Sequence, residues 1–464
     1  MIKRLARYRE KSKNQEHLWS KDYILIMFSA LCHAMMTQFY LAATPLFVNK
    51  LGGMALQAGL FSSVTAIAAL VTRPLSGIMA DKFGRSRQLV IGAVLCTVSS
   101  FLFGFFSVIP ILLVFRAIQG VGFGMHSTSA GAAIADVVPE SRMAEGIGYF
   151  GLHSSLGQAI GPGIALAIVA GDTMNDYRKL FFLTAGLCFL SIISNNFISY
   201  ERKRKKAAQL ATAQLATAQL AAAQTDQLSA TSTTQQSTTP DAQQSDTPAP
   251  QVEKQPTAAQ TSRSDRPLPK TILGFEYSMF APGLVVLLLF IGLSCLSVYM
   301  APFARWKGLG NPGMYYTFNA LGSFSSRIIF GRVADKRGSD IIIIPGMIVV
   351  TVCLCLLPFT RSLTTLVALG FPLGLAFGAM SPTFNSMYFK RCSPERRGTA
   401  SGAFFSAIDM GYAFGAPLLG AIADILNFDF IYWTGAVFVV AGLALYLLIA
   451  SDKQYNRRRL RAAG

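Results

Sequence analysis

The sequence predicts an all-α polytopic membrane protein, with twelve transmembrane helices in two pseudo-symmetric six-helix bundles. Three observations predict it. The 464 residues are 52% hydrophobic and only 14% charged, with 34 Phe, which is too apolar for an ordinary soluble chain. Apolar stretches of about 20 residues, enough to cross ~30 Å of hydrocarbon, recur along it, six before a polar segment and six after. Finally, one basic loop is nearly written twice. Gly77-Ile-Met-Ala-Asp81-Lys82-Phe-Gly84-Arg85-Ser-Arg87 returns 254 residues later as Gly331-Arg-Val-Ala-Asp335-Lys336-Arg-Gly338, with Arg73 and Arg327 ahead of the copies at one offset. Such a Gly-broken basic loop between apolar runs turns a chain back into the bilayer on the cytoplasmic side.

The formal charge of +18 does not point to nucleic acid. With a cytoplasmic N-terminus, most of the 41 Lys and Arg fall in cytoplasmic segments, so the charge sets orientation and both termini are cytoplasmic. The basic tails would also be drawn to anionic lipid. Residues 1–21 form a basic N-tail. The apolar run after it outlasts a signal peptide's and lacks a small-residue cleavage site, so it stays as the first span. The seven Cys show no disulfide or metal spacing and read as small packing residues.

Span 1 covers roughly 22–48 and span 2 roughly 57–80, with Arg73-Pro74 near its end. Span 3 covers about 88–108. Span 4, about 109–135, begins with Pro110 in its first turn, where a missing N–H costs nothing. Spans 5 and 6 cover about 143–170 and 178–200, completing a bundle over 22–200. A cytoplasmic linker, 201–277, opens with Glu201-Arg-Lys-Arg-Lys-Lys206. Its 207–270 stretch of Gln, Ala, Thr, Ser and Pro lacks the apolar surface to offset ordering entropy, and reads as disordered. Spans 7 to 12 cover about 278–303, 313–334, 340–360, 364–389, 397–424 and 429–450, a second bundle over 278–450. A basic tail, 451–464, closes the chain.

The repeat extends beyond the loop. At the same offset of 254, Gly120 and Gly124 match Gly374 and Gly378, and Gly148, Gly157 and Gly161 match Gly402, Gly411 and Gly415. Two halves descended from one six-helix unit would carry this pattern, related by a pseudo-two-fold along the membrane normal.

These motifs carry a resemblance. The Gly77 to Arg87 loop resembles the cytoplasmic signature of the major facilitator superfamily, Leu112-x-x-x-Arg116-x-x-Gln119-Gly120 resembles its second signature, and Gly148-x8-Gly157-x3-Gly161-Pro162 resembles its third, found chiefly in exporting antiporters. Ala165-Leu166 stands where that third signature has Gly-Gly. The resemblance implies that the loop latches the halves on the cytoplasmic side: Gly77, Asp81, Lys82, Gly84, Arg85 and Arg87, with Asp136 as partner for Arg85. It extends to Gly331, Asp335, Lys336 and Gly338 in the second copy, weakened because that copy ends in Ser339-Asp340 instead of basic residues. It also implies that Gly148, Gly157, Gly161 and Pro162 bend and seal span 5, and that Arg116 takes part in proton coupling. On physical grounds alone, the glycines permit tight turns and close helix approach.

Intramembrane charge needs a reason. Asp409 is the only carboxylate near the middle of any span, and nearly opposite Gly411 and Gly415 at 100° per residue. It is the main candidate for proton binding, with Arg116 and then His33 beside it. A structural reading of Asp409, held by an Arg or Asn, competes. Span 1 lacks the acidic residue that related drug exporters place there, which favours His33 over the other helical histidines, His126 and His153. Gln38, Tyr40, Gln119, Tyr299, Asn319 and Asn385 are candidate substrate contacts.

The expected function is a secondary transporter in the cell membrane, exporting a small organic solute against protons by alternating access. An importer by symport or uniport, and a non-transporting receptor or scaffold, are the alternatives. No nucleotide loop, nucleophile–base pair or metal-ligand spacing suggests a pump or an enzyme, and no cofactor or metal is expected. The partners are protons, one small molecule and the lipid bilayer, with a monomer favoured.

Overall fold

Helices hydrophobic on every side belong where no face meets water, and this chain has little else. The computed structural model describes residues 18–139, 142–202, 209–210, 271–272, 275–276, 279–330, 338–390 and 397–451. Within the first six spans lie α1 (Lys21–Lys50), α2 (Ala55–Phe83), α3 (Arg85–Phe103), α4 (Ile109–Val137), α5 (Met143–Phe150), α6 (Leu152–Ile168) and α7 (Met174–Asn196). A two-residue antiparallel pair, β1 (Thr271–Ile272) with β2 (Phe275–Glu276), precedes the second set. That set holds α8 (Phe280–Val298), α9 (Met300–Trp306), α10 (Gly313–Phe330), α11 (Asp340–Leu356), α12 (Leu363–Lys390), α13 (Arg397–Ile425) and α14 (Phe428–Leu445). Residues Ser199–Lys270 form a separate unit, nearly all of it outside the described residues, and the expected disorder of 207–270 falls there.

Ten of the described helices are long and apolar enough to cross a membrane. The two remaining expected spans are occupied by α5 with α6, and by the 18-residue α10. Span 5 is broken at Gly151 and runs as helix through Pro162, so its interruption lies one helix end away from the expected Gly161-Pro162 bend. Span 7 likewise breaks at Tyr299, between α8 and α9.

Caps are set locally. Ser20 accepts from the amide of Tyr23 to start α1, and Asp22 follows in its first turn. Thr173 and Asp176 form a reciprocal capping box for α7, while Asn427 accepts from Asp429 N at 2.9 Å for α14. Large apolar side chains such as Val71, Phe101, Phe189, Val437 and Leu448 stay exposed along the spans, as lipid-facing positions must.

The sequence repeat is also a packing repeat. Gly124 lies against Ala69 and Thr72 of α2, and Gly378 lies against Ser323 and Ser326 of α10, which are the same positions shifted by 254. Gly120 against Thr65 and Gly374 against Asn319 repeat the pairing one turn earlier. A Cβ on Gly378 would come 2.6 Å from the Ser323 Cα, so close backbone approach demands glycine. Between the halves, α2 packs along α13 and α6 along α10.

Candidate functional site

The charge deepest in the interface between halves is an ion pair. Gly411 and Gly415 turn one side of α13 onto α8, where a Cβ would meet Phe290 Cβ at 2.5 Å and Ile291 Cα at 2.7 Å. Asp409 therefore points the other way, to α2, and its Oδ2 accepts from Arg73 Nε at 2.9 Å. Arg73 Nη1 donates to Ser127 Oγ of α4 at 3.3 Å, and its guanidinium lies 5.9 Å and 5.8 Å from the Phe123 and Phe405 rings. The two side chains are 17% and 15% exposed. Desolvating such a pair is costly, and here the hydroxyl and the two π-faces add to the Coulomb term that offsets it. At a rise of ~1.5 Å per residue, Arg73 and Asp409 stand about 15 and 18 Å from the ends of their helices nearest Phe83 and Arg397. The sequence singles out Asp409 but treats Arg73 only as a repeat position. The signal was available: one cation and one anion, each the only charge away from the ends of its apolar span, in opposite halves.

Arg116 is not the partner of Asp409. It lies inside the first half, 6% exposed, with its guanidinium 4.8 Å from the centre of the Tyr40 ring. Its Nε donates to Phe61 O at 3.3 Å and its Nη1 to Gln119 Oε1, while Gln119 Nε2 donates to Ser100 Oγ at 3.1 Å. Among the described residues no carboxylate is within ion-pair distance of it. Carbonyl, amide and ring stand in for a counter-ion, an arrangement that the planar fork of Arg can satisfy in several directions at once.

His33 does not stand alone. Its ring stacks on that of His126, with centroids 3.5 Å apart and planes 9° from parallel. Ser29 Oγ lies 2.7 Å from His126 Nε2 and 2.6 Å from Ser191 Oγ, and His33 Nδ1 lies 3.1 Å from Ser29 O. A proton on Nδ1 makes that last contact a donor–acceptor pair and leaves Nε2 as a buried acceptor with no partner among the described residues. His153 lies within electrostatic reach of both rings. The sequence offers three separate helical histidines, and the fold stacks two of them, while His153 lies against Phe150.

In the basic loop, Gly84 and Gly338 take φ of 99° and 90°, left-handed values that suit glycine at a sharp reversal. Arg85 pairs with Asp136 and donates to Ala132 O at 2.6 Å. Lys82 and Arg87 are exposed, with the Lys82 ammonium 5.4 Å from the Phe83 ring. Nothing lies within 4 Å of a Cβ placed on Gly77. The Asp81 side chain, and Gly331, Asp335 and Lys336 altogether, fall outside the described residues.

The glycines of span 5 divide. Gly157 abuts Ala34 and Gly161 abuts Gln38 on α1, with Cβ distances of 2.8 and 2.6 Å. Gly148, expected to pack with them, meets nothing within 4 Å. The candidate substrate contacts divide too. Tyr40 and Gln119 are buried around Arg116 inside the first half, and Tyr299 is buried with its hydroxyl 2.6 Å from Ala416 O and 3.0 Å from Ala55 O, bridging the halves. Their enclosure removes these three from any solvent-lined surface in this conformation. Gln38 and Asn385 are half-buried, and Asn319 Oδ1 receives Gln158 Nε2 across the halves at 3.5 Å. Among the described residues, no group of three His, Cys, Asp or Glu side chains could hold a metal.

The sequence profile of the Major Facilitator Superfamily matches residues 26–408 and 283–463. Quinolone resistance protein NorA of Staphylococcus aureus (strain MRSA252) is 21% identical over 423 residues, covering 89% of this chain and 92% of that protein. An uncharacterized MFS-type transporter of Methanocaldococcus jannaschii is 23% identical over 414 residues, covering 87% and 92%. Among solved structures, a mutant of the nucleoside transporter NupG superposes with a TM-score of 0.66 at 12% identity, over 92% of this chain and 99% of that one. A POT family transporter in complex with 5-aminolevulinic acid gives 0.65 at 14% identity, over 94% and 98%. The paired loops, the 254-residue packing repeat and this match over most of the chain agree: the chain belongs to the Major Facilitator Superfamily, and is a multi-pass membrane transporter, not an enzyme.

Proposed function

We propose that this transporter exports a small organic solute in exchange for protons, by alternating access in the plasma membrane, with both termini cytoplasmic. The Arg73–Asp409 pair carries the proposal, because it joins the two halves through a group that can take a proton. With Asp409 ionised, the pair ties α2 to α13 and opposes their separation on the cytoplasmic side. A proton on Asp409 cancels the charge and leaves Arg73 to Ser127 and the Phe123 ring of its own half, with only the weaker contact to Phe405 on α13, so the tie is loosened. Protons arriving from outside then favour the inward-open state. Their loss to the cytoplasm, as solute binds, restores the tie and favours release outside. The Arg85–Asp136 pair and the Gly84 turn hold the cytoplasmic loop in the shape that such a gate needs.

The quinolone resistance relative makes quinolones the first solutes to test, ahead of a broad metabolite panel. In inverted vesicles, an imposed pH gradient, acidic inside, should drive solute accumulation at least tenfold above an ungraded control. Accumulation only with the gradient reversed would make the protein a symporter. No movement of any solute in either direction would favour a receptor or scaffold.

A further inference from the structure

At the ends of the spans opposite the basic loops, here called the outer ends, two carboxylates reach across the halves. Asp424, in the last turn of α13, accepts from the backbone amides of Ala55 at 2.8 Å and Leu56 at 2.7 Å. These are the first two residues of α2, whose amides have no intrahelical acceptor. Met54 occupies the N-cap position of α2 and supplies no capping side chain, and Gln57 of the same helix accepts only the Met54 amide, at 3.0 Å, so the Ala55 and Leu56 amides take their cap from the other half. The negative charge also sits at the positive end of the α2 dipole. The second carboxylate is Asp172, in the turn between α6 and α7. It receives Arg305 Nη1 of α9 at 3.1 Å, Lys50 Nζ at 3.6 Å and the Tyr177 hydroxyl at 2.8 Å. Asp172 is the one described non-glycine residue with positive φ, 50°, a conformation that Asp tolerates better than most and that aims its carboxylate at Arg305.

We infer that Asp424 and Asp172 form an outer gate, one capping α2 in trans and the other clasping Arg305, that holds the outer side closed. The inference rests on alternating access alone, and not on the direction or the proton coupling proposed above. When the outer ends part, α2 loses its cap and Asp172 loses the cation from the opposite half. Both contacts are reversible and hydrated at the surface, which suits a gate better than an apolar seam. The Tyr299 hydroxyl, between Ala416 O and Ala55 O, lies just beneath the Asp424 cap and adds a third polar tie at the same end.

The test reads conformation, with no solute and no gradient, so its failure is separable from failure of the exporter reading. Phe105 and Phe359 are exposed at the outer ends of opposite halves. Spin labels on F105C and F359C, in a background where the exposed Cys355 and also Cys392 are replaced by Ser, report the outer separation. Asp424→Ala removes both acceptor oxygens of the cap, and Asp172→Asn keeps shape and backbone preference while removing charge. Each should raise a longer-distance population roughly tenfold, on the scale of a lost helix cap. Arg305→Gln should reproduce the Asp172 effect. Monodispersity and thermal stability of each variant establish that it is folded. An unchanged distance distribution in folded Asp424→Ala and Asp172→Asn, or in folded Arg305→Gln should either Asp variant not fold, overturns the gate.

Discussion

At the scale of single residues, Tyr40 separates two contributions that usually travel together. Its ring lies under the Arg116 guanidinium, while its hydroxyl is buried beside Ser100 and Gln119 without well-formed hydrogen-bond geometry to either. Tyr40→Phe keeps the ring and removes a group that is costly to bury unpaired, so thermal stability should hold or rise, by up to ~1 kcal/mol. Tyr40→Ala should lose about 3–5 kcal/mol of packing. A melting temperature several degrees lower for Tyr40→Phe would show that the hydroxyl is bonded. Arg116→Lys gives the complementary case. An ammonium cannot meet Phe61 O, Gln119 Oε1 and the Tyr40 face together, so Lys should impair transport nearly as much as Ala does, read as initial rate in vesicles. Full activity of the Lys variant would reduce the role of Arg116 to charge. The motif made Arg116 legible, but its setting was not. The sequence gives no distance between Tyr40 and residue 116, and the cation–π contact exists only once α1 and α4 are packed.

At the scale of elements, the three glycines of span 5 show what spacing can and cannot say. Four residues separate Gly157 from Gly161, which keeps both on one helix face against Ala34 and Gln38. Nine residues turn a helix by about 900°, so Gly148 stands on the far side, and the break at Gly151 isolates it further. Gly161→Val should force α6 off α1 and destabilise the protein by about 1–3 kcal/mol. Gly148→Ala should stabilise it by roughly 0.5–1 kcal/mol through helix propensity, since its Cβ enters open space. Thermal unfolding in detergent measures both, and equal losses would mean that Gly148 packs after all. Order and approximate bounds of the spans were legible because apolar length is a property of the chain alone. The breaks at Gly151 and Tyr299 were not. Gly151 has no proline within a turn of it, and Pro302, which lacks the amide that would bond residue 298 beside Tyr299, lies within a stretch that reads as a single span.

At the scale of the whole molecule, the pseudo-symmetry was plain in the sequence, since an offset that aligns loops also aligns Gly124 with Gly378 and the serines and threonine that they touch. What escaped is everything that joins the halves. Asp172 reads as a loop acid and Asp424 as an unremarked helix-end acid, because their partners lie 133 and nearly 370 residues away. Their chemistry also sets a pH expectation. Partial burial pushes the Asp172 carboxyl up, but hydrogen bonds from Tyr177 and Arg305, with the charges of Arg305 and Lys50, outweigh it and hold the group below the usual carboxylate range. A carboxylate so depressed keeps its contacts fully above its ordinary pKa and loses them only as pH falls below that value. With Asp409→Asn fixing the Arg73 tie in one charge state, the outer label separation should therefore stay constant from pH 8 to 5. Widening in that interval would mean that another group titrates in the outer gate.

The central claim is that the Arg73–Asp409 tie is opened and closed by a proton, and Asp409→Asn tests it most directly. Asn cannot ionise, so it stands permanently for the protonated carboxyl. In proteoliposomes, the variant should lose pH-gradient-driven accumulation by tenfold or more, while solute-for-solute exchange without a gradient persists near the parental rate. Parental accumulation by Asp409→Asn under the same gradient would contradict the account, and would move the search for the proton site to the stacked His33 and His126.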